Sequence, residues 1–361
     1  MNGAANFRPE FWRDRRVLVT GHTGFKGSWL CLWLDHVGAR ITGYALAPPT
    51  DPSLFELARV AERVDHRTGD VRDPDALART MQEVAPEVVI HMAAQSLVRY
   101  SYEHPVETFS TNVLGTVHLL EAVRATPSVR AVVVVTSDKC YRNEEWVWGY
   151  RETDRLGGHD PYSGSKGAAE LAVEAYRSSF FDPDRDPAAA AVGTGRAGNV
   201  VGGGDWAVDR LVPDIVSSLL TGEATRIRNP EATRPWQFVL EPLHGYLMLA
   251  ERLYAEGHAF AGGWNFGPTE ESERTVGWIA ERLHGLWGGS VAWRHDPDPG
   301  PPESTFLKLD ASKARARLGW RPKLDLDTTL GWIVEWTRRY EAGEDPREAC
   351  LDDIRRYEEI A

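Results

Sequence analysis

Along the first half of the chain, short apolar runs alternate with longer stretches in which apolar residues recur every three or four positions. RRVLVT (residues 15–20) predicts a buried strand, and it runs directly into GHTGFKG (21–27). In the following SWLCLWLDHVG, Leu30, Trp33, Leu34 and Val37 share one face of a helix that Gly38 ends. ITGYAL (41–46) is the next strand, and a third is expected just before GDVRD. DPDALARTMQEVA predicts a helix with Asp73 as its cap and Pro74 at its first position. EVVIHMA (87–93) is a strand, Pro105 opens a helical pattern that ends near Thr126, and AVVVV (131–135) is another strand. A helix over 162–181 and an alanine-rich apolar segment leading to RAGNVVGGGDW follow.

Continuously apolar strands separated by amphipathic helices imply a parallel sheet covered on both faces. Right-handed crossovers make it a Rossmann-type doubly wound α/β fold. From about residue 200 the rhythm breaks. RNPEATRPWQFVLEPLHGY shows no strand–helix alternation, HDPDPGPPEST reads as a loop, and the charged segments from Asp327 onward read as solvated outer helices. The expected organisation is a doubly wound domain over 1–200 and a smaller mixed α/β part over 201–361, with a crossing of the chain back to the first domain left open. No internal repeat or low-complexity tract is evident.

Composition narrows the function classes. The chain has 361 residues, and a formal net charge of −12 argues against a nucleic-acid partner, which requires a basic face. Cys31, Cys140 and Cys350 are widely separated and match neither a metal site nor a disulfide framework, so no metal and a cytoplasmic setting are expected. The apolar runs are strand-sized, which predicts no membrane span, and the first residues carry no apolar segment of signal-peptide length. Most of the 14 Trp are expected in the core or at internal interfaces.

The glycine loop gives the first chemical pointer. Gly21, Gly24 and Gly27 lie between a strand and a helix, the context in which glycines permit a tight turn and close approach of a pyrophosphate to a helix N-terminus. His22, Thr23, Phe25 and Lys26 complete the loop, with His22 and Lys26 either adding charge near the phosphates or facing solvent. The second strand ends YALAPP, with neither an acid nor an Arg to choose between NAD and NADP. Asp70 and Val71 are placed to hold an adenine edge.

In PYSGSK, Tyr162 and Lys166 are four residues apart and share a helix face. A lysine there lowers the phenol pKa and lets it take a proton from an alcohol as hydride leaves. GHTGFKG, Asn112 in NVLGT, Ser137 and YSGSK together resemble the extended short-chain dehydrogenase/reductase family, over about residues 14–340. HMAAQSLVRYSY, TSDKCYRNEEWVWGYRE, RAGNVVGGGDW, RPWQFVLEPL and KLDASKARARLGWRP are similar to stretches of its nucleotide-sugar 4,6-dehydratases, with CDP-glucose as the implied substrate and NAD as the implied cofactor. Two departures are the non-acidic YALA and the absence of a histidine from PPESTFLKLD.

The resemblance implies oxidation at sugar C4, loss of water across C5–C6, and return of hydride to C6. It makes Tyr162 the base for the 4-hydroxyl, with Lys166 tuning it and Ser137 bonding the same oxygen. Asp138 and Lys139 become the elimination pair, Asp138 as acid and Lys139 as base. This requires a carboxyl (~3.9 when free) to be raised and an ammonium (~10.4) to be lowered, and the reverse assignment asks less of both. The resemblance further places Ala93, Ala94, Gln95, Asn112 and Thr136 beside the cofactor. It places Gln95, Arg99, Asn199, Trp206, Arg210 and Arg234 beside the substrate, with Arg99 alternatively in an ion pair and Trp206 alternatively in the core. A homodimer or homotetramer is implied. The rival readings are a nucleotide-sugar 4-epimerase, which needs no elimination pair, and a non-catalytic NAD-sensing protein.

Overall fold

A computed structural model describes residues 7–288, 293–297 and 306–360. Strands β1 (Arg16–Thr20), β2 (Arg40–Ala45), β3 (Asp65–Thr68), β4 (Val88–His91), β5 (Ala131–Val135) and β6 (Ala191–Ala197) form the main sheet. Beyond β7 (Asn199–Val201), β8 (Thr225–Ile227) and β9 (Thr233–Phe238), the chain returns to that sheet as β10 (Gly262–Phe266). The order is β10-β6-β5-β4-β1-β2-β3, all parallel. The order reverses at β1, flanked by β2 and β4, so the loops leaving β1 and β4 border the crevice where such folds bind ligands.

Strand alternation divides the core between the two faces of the sheet. Val17, Val19, Val88, Ile90, Val133 and Val135 point to one face, and Leu18, Val89, Val132 and Val134 to the other. Helix α1 (Phe25–His36) covers the first face, and α2 (Pro74–Val84) covers the second. Asp73 caps α2 as expected, its side chain accepting from the Ala76 amide. The pattern beginning at Pro105 is helical but interrupted: α3 (Pro105–Phe109) and α4 (Gly115–Arg124) flank a π turn at Ser110–Leu114. Helix α5 (Pro161–Ser179) packs beside α4.

A three-stranded sheet, β7-β9 with β11 (Glu273–Thr275), stands beside the main one. A two-stranded pair joins β8 to β12 (Trp293–His295). Two expectations are corrected. RPWQFVLEPL does form a strand–helix unit, β9 followed by α6 (Leu240–Glu256), and α6 packs on β5 and β6. The last helices, α7 (Leu326–Glu341) and α8 (Pro346–Glu359), are charged outside but bury Leu330, Ile333, Trp336, Ile354 and Tyr357. Their apolar residues fall at helical spacing between charges, and α8 packs on α1. Residues 298–305, within HDPDPGPPEST and PPESTFLKLD, lie outside the described residues.

Candidate active site

The β1–α1 loop is shaped by backbone crowding. Gly21 has φ +75°, and a Cβ there would lie 2.6 Å from the Ala93 nitrogen, so the loops after β1 and β4 touch. A Cβ on Gly27 would lie 2.2 Å from the Gly21 carbonyl oxygen. At Gly24 the nearest protein atom would be 3.5 Å away, so the protein's own packing leaves room for a side chain there. Asp160 and Asp325 cap α5 and α7, but α1 has no side-chain cap and no acid in its first turn. Its first N–H groups and dipole end therefore face the crevice without a side-chain acceptor, an arrangement that fits a pyrophosphate. Thr23 closes the loop by donating to the Leu46 carbonyl (2.9 Å). Phe25 packs toward Gly202.

His22 is corrected. Its ring is fully buried, bonded to His66 (2.7 Å) and packed over Gly43. Burial and His66 lower its pKa to about 4, so it stays neutral and brings no charge to a phosphate. Lys26 does reach the site. Burial and Arg210 lower its pKa to about 8, against the pull of Asp138 and Asp205.

Helix α5 presents Tyr162, Lys166 and Glu170 as one stripe, four residues apart. The three side chains meet three consecutive residues at the end of β5. Lys166 Nζ donates to the Val135 carbonyl (3.4 Å), Glu170 accepts from the Thr136 hydroxyl, and Tyr162 is hydrogen-bonded to Ser137. Burial pushes the Tyr162 phenol up to about 12, opposed by Ser137 and the charge of Arg210. Burial, then Lys26, lowers Lys166 to about 8. In the protein alone, burial is the largest influence on the phenol and the Ser137 hydrogen bond the largest opposing one.

Ser137 also donates to Asp138 Oδ1 (2.9 Å) and accepts from the Lys139 amide (3.2 Å). Asp138 is 3% exposed, and its Oδ2 is buried with no hydrogen-bond partner among the described residues. Burial raises its pKa from the ordinary aspartate value, against the opposing effects of Lys139, Ser137 and Arg234. Lys139 is half-buried beside it. The β7–β9 sheet supplies the opposite wall, where a Cβ on Gly198 would lie 3.3 Å from Asp138 Oδ2. Asn199 pairs with Trp236 next to that point, and Arg234 acts electrostatically on Asp138. Arg210 donates to Asp205 (3.2 Å) and Ser96 (2.9 Å), and its charge is felt at Tyr162. Arg99 forms the ion-pair alternative, with Asp209 (3.3 Å).

Other expected contacts are committed to the protein itself. The Gln95 side-chain amide donates to the Leu97 carbonyl and the Thr108 hydroxyl, so its side chain folds back onto the protein. Asn112 lies in the π turn and joins the Gln95 backbone (2.9 Å) to Ser165 (2.8 Å), which makes it a brace between loop and helix. Arg72 engages the Asp70 carboxylate (2.6 Å) and keeps its pKa low, so that acid is already satisfied. Val71 is core and packs against Gly115. Trp206 packs on Tyr340 (5.2 Å), the packing alternative. Ala93 and Ala94 are half-buried at the β4 end.

Three residues were not singled out from the sequence. Glu170 continues the Tyr162–Lys166 spacing by four more residues, a signal that was legible. Arg196 and Tyr246 carried no such signal. The Tyr246 hydroxyl is buried, makes no hydrogen bond among the described residues, and lies within electrostatic reach of Asp138 and Tyr162. Among the described residues there is no cluster of metal-ligating side chains and no helix long and apolar enough to cross a membrane.

The family model described as GDP-mannose 4,6 dehydratase matches residues 18–331. The chain is 54% identical over 336 residues to the CDP-glucose 4,6-dehydratase of Salmonella typhimurium, covering 93% of this chain and 94% of the relative. Its structure is similar to that of a Thermus thermophilus UDP-glucose 4-epimerase in complex with NAD, with TM-score 0.75, 25% identity, and coverage of 90% and 99%. A dTDP-glucose 4,6-dehydratase from Bacillus anthracis in complex with NAD shares the fold at TM-score 0.74 and 22% identity, covering 92% of this chain and 99% of that one.

Proposed function

The chain belongs to the GDP-mannose 4,6 dehydratase family, and from that premise we propose that it converts CDP-glucose to CDP-4-keto-6-deoxyglucose with loss of water. The observation that carries this reading is a second proton-transfer pair, Asp138 and Lys139, on the same turn as Ser137, which is bonded to Tyr162. A 4-epimerase has no use for such a pair. The 54% identity to a CDP-glucose dehydratase supports the choice of nucleotide.

NAD is the proposed cofactor, carried on the backbone of Gly21, Thr23, Gly24, Phe25 and Gly27, with Lys26 facing the phosphates. Ala93 and Ala94 border it further along. The chemistry supplied by bound NAD is storage of one hydride, removed from C4 and returned at C6. Tyr162 takes the proton of the 4-hydroxyl, Ser137 bonds that oxygen, and Lys166 holds positive charge below. Asp138, whose protonated form burial favours, is proposed to give its proton to the departing 6-hydroxyl, and Lys139 to remove the C5 proton. Asn199 and Arg234 are proposed to face the sugar diphosphate, Arg234 because its planar fork matches phosphate oxygens.

The proposed organisation keeps a cofactor-binding part up to about residue 200 and a substrate-binding part beyond it, joined by the return strand β10. Pairing of two copies is proposed across the apolar residues exposed on α3 to α5, including Val106, Leu114 and Leu171. Three buried free cysteines suit a reducing cytoplasm.

The test is product analysis with CDP-, dTDP-, UDP- and GDP-glucose in parallel. A 4-keto-6-deoxy product from CDP-glucose is expected. A 4-epimeric hexose as sole product would replace the reading with the epimerase.

A further inference from the structure

The turn that carries the proton-transfer groups, residues 136–141, is tied at both ends to a single buried ion pair. Glu170 and Arg196 meet at 2.7 Å with side chains 3% and 5% exposed, and a second bond joins Arg196 Nε to Glu170 Oε1 (2.9 Å). At the start of the turn, the Thr136 hydroxyl donates to Glu170 Oε1. At its end, Arg196 donates to the Tyr141 hydroxyl (2.7 Å), which in turn donates to Asn265 on β10 (2.7 Å). The same guanidinium bonds the Glu152 carbonyl (3.2 Å), so it also fixes the chain that follows the turn. Burial alone drives Glu170 toward neutrality, but Arg196, Thr136 and Thr194 outweigh it and keep the carboxylate charged.

We propose that the Glu170–Arg196 pair is the positioning device of the proton-transfer turn, clamping it through Thr136 and Tyr141 so that Ser137, Asp138 and Lys139 are aimed together. This deepens the dehydratase reading and rests on it. The two charges touch no reacting atom. Their role is to remove the freedom of a short turn whose acid and base must address adjacent carbons of one sugar, where a misplacement of about 1 Å costs on the order of a hundredfold in rate. Arg196 makes two direct bonds to Glu170 that involve neither Thr136 nor Tyr141, so each tie can be cut while the contacts of the pair itself remain.

The experiment compares Thr136→Val and Tyr141→Phe with Thr194→Val. Thr194 donates to Glu170 Oε2 (2.7 Å) from β6 but makes no tie to the turn. Each variant is followed by thermal melting, amide hydrogen exchange of the peptide spanning the turn, and single-turnover kinetics. The kinetics separate reduction of bound NAD from deuterium entry at C5. Thr136→Val and Tyr141→Phe are expected to speed exchange in the turn and to slow C5 deuterium entry by on the order of tenfold or more, and by more than they slow NAD reduction. Thr194→Val is expected to lower the melting temperature without moving that ratio, and Thr136→Ser to restore it. If all three Val and Phe variants lose stability alike and leave the ratio and the turn's exchange unchanged, the clamp is wrong. A wild-type protein inactive on every nucleotide sugar would overturn the dehydratase reading instead, and the exchange arm would then still decide the clamp.

Discussion

Asp138 and Lys139 are adjacent in sequence but unequal in environment. Asp138 is enclosed by Ser137, Gly198 and the β9 wall, and burial outweighs three favourable partners to raise its pKa. Burial favours the protonated form of this carboxyl, the form able to donate, which supports the proposed role of Asp138 as the acid for the departing hydroxyl. Lys139 is then the group left to take the C5 proton. Replacing Lys139 by Met is expected to leave reduction of bound NAD measurable while lowering C5 deuterium entry by on the order of a hundredfold or more. Rapid-mixing absorbance and mass analysis of product formed in heavy water check the two halves. Wild-type deuterium entry in Lys139→Met would remove Lys139 from the base role. The identities of these residues were legible in TSDKCY. Their unequal burial was not, because it comes from a wall formed by residues 198 and 234–235, far along the chain.

At the scale of elements, the β1–α1 unit separates glycines by what they serve. Gly27 is required by the backbone, since a methyl group would be forced against the Gly21 carbonyl at 2.2 Å. Gly24 meets no such obstacle within the protein. Gly27→Ala is therefore expected to destabilise the fold by roughly 2 kcal/mol or more, read by denaturant unfolding. Gly24→Ala should fold with near-normal stability but bind NAD at least about tenfold more weakly, read by calorimetric titration. Equal losses of stability in the two variants would refute this division. The strands and helices of this half were readable because buried parallel strands are continuously apolar and helices are periodic. The π turn at Ser110–Leu114 was not, because its extra residue is accommodated by contacts from Gln95 and Ser165 to Asn112 rather than by any local pattern. The same holds for His22, whose place beside a phosphate was inferred from the loop but whose ring is drawn into the core by His66.

At the scale of the molecule, Glu241 links segments that are distant in sequence. Its carboxyl accepts from the Lys323 and Leu324 amides (2.8 Å each) and the Tyr357 hydroxyl (2.7 Å), joining α6 to the chain before α7 and to α8. Burial raises its pKa to about 7 despite these bonds. A carboxyl raised on folding stabilises most when both states are protonated. That contribution is lost as pH rises from about 4.5 in the unfolded chain through about 7 in the folded one. Asp353, also raised to about 7, chiefly by burial, adds a loss of the same sign. Glu241→Gln is expected to stabilise the protein above pH 7 by up to about 3 kcal/mol and to have little effect near pH 4. Urea unfolding at both pH values checks this, and an unchanged pH slope in the variant would refute it.

Sequence by itself determined the alternation of the first half, the glycine loop, the Tyr162–Lys166 spacing and the adjacency of Ser137, Asp138 and Lys139 at a strand end, because each is written within a few residues or one helical period. Only the tertiary structure decided that the chain does cross back, and that it does so as β10 beside β6 in the main sheet. It also decided that the last helices bury one face, that Gln95 and Asn112 brace the protein, and that Glu170 and Arg196 grip the turn from both ends. These are pairings between residues tens to hundreds of positions apart. Their physical cause is the need to satisfy buried polar groups, which no local pattern of apolar and polar residues encodes.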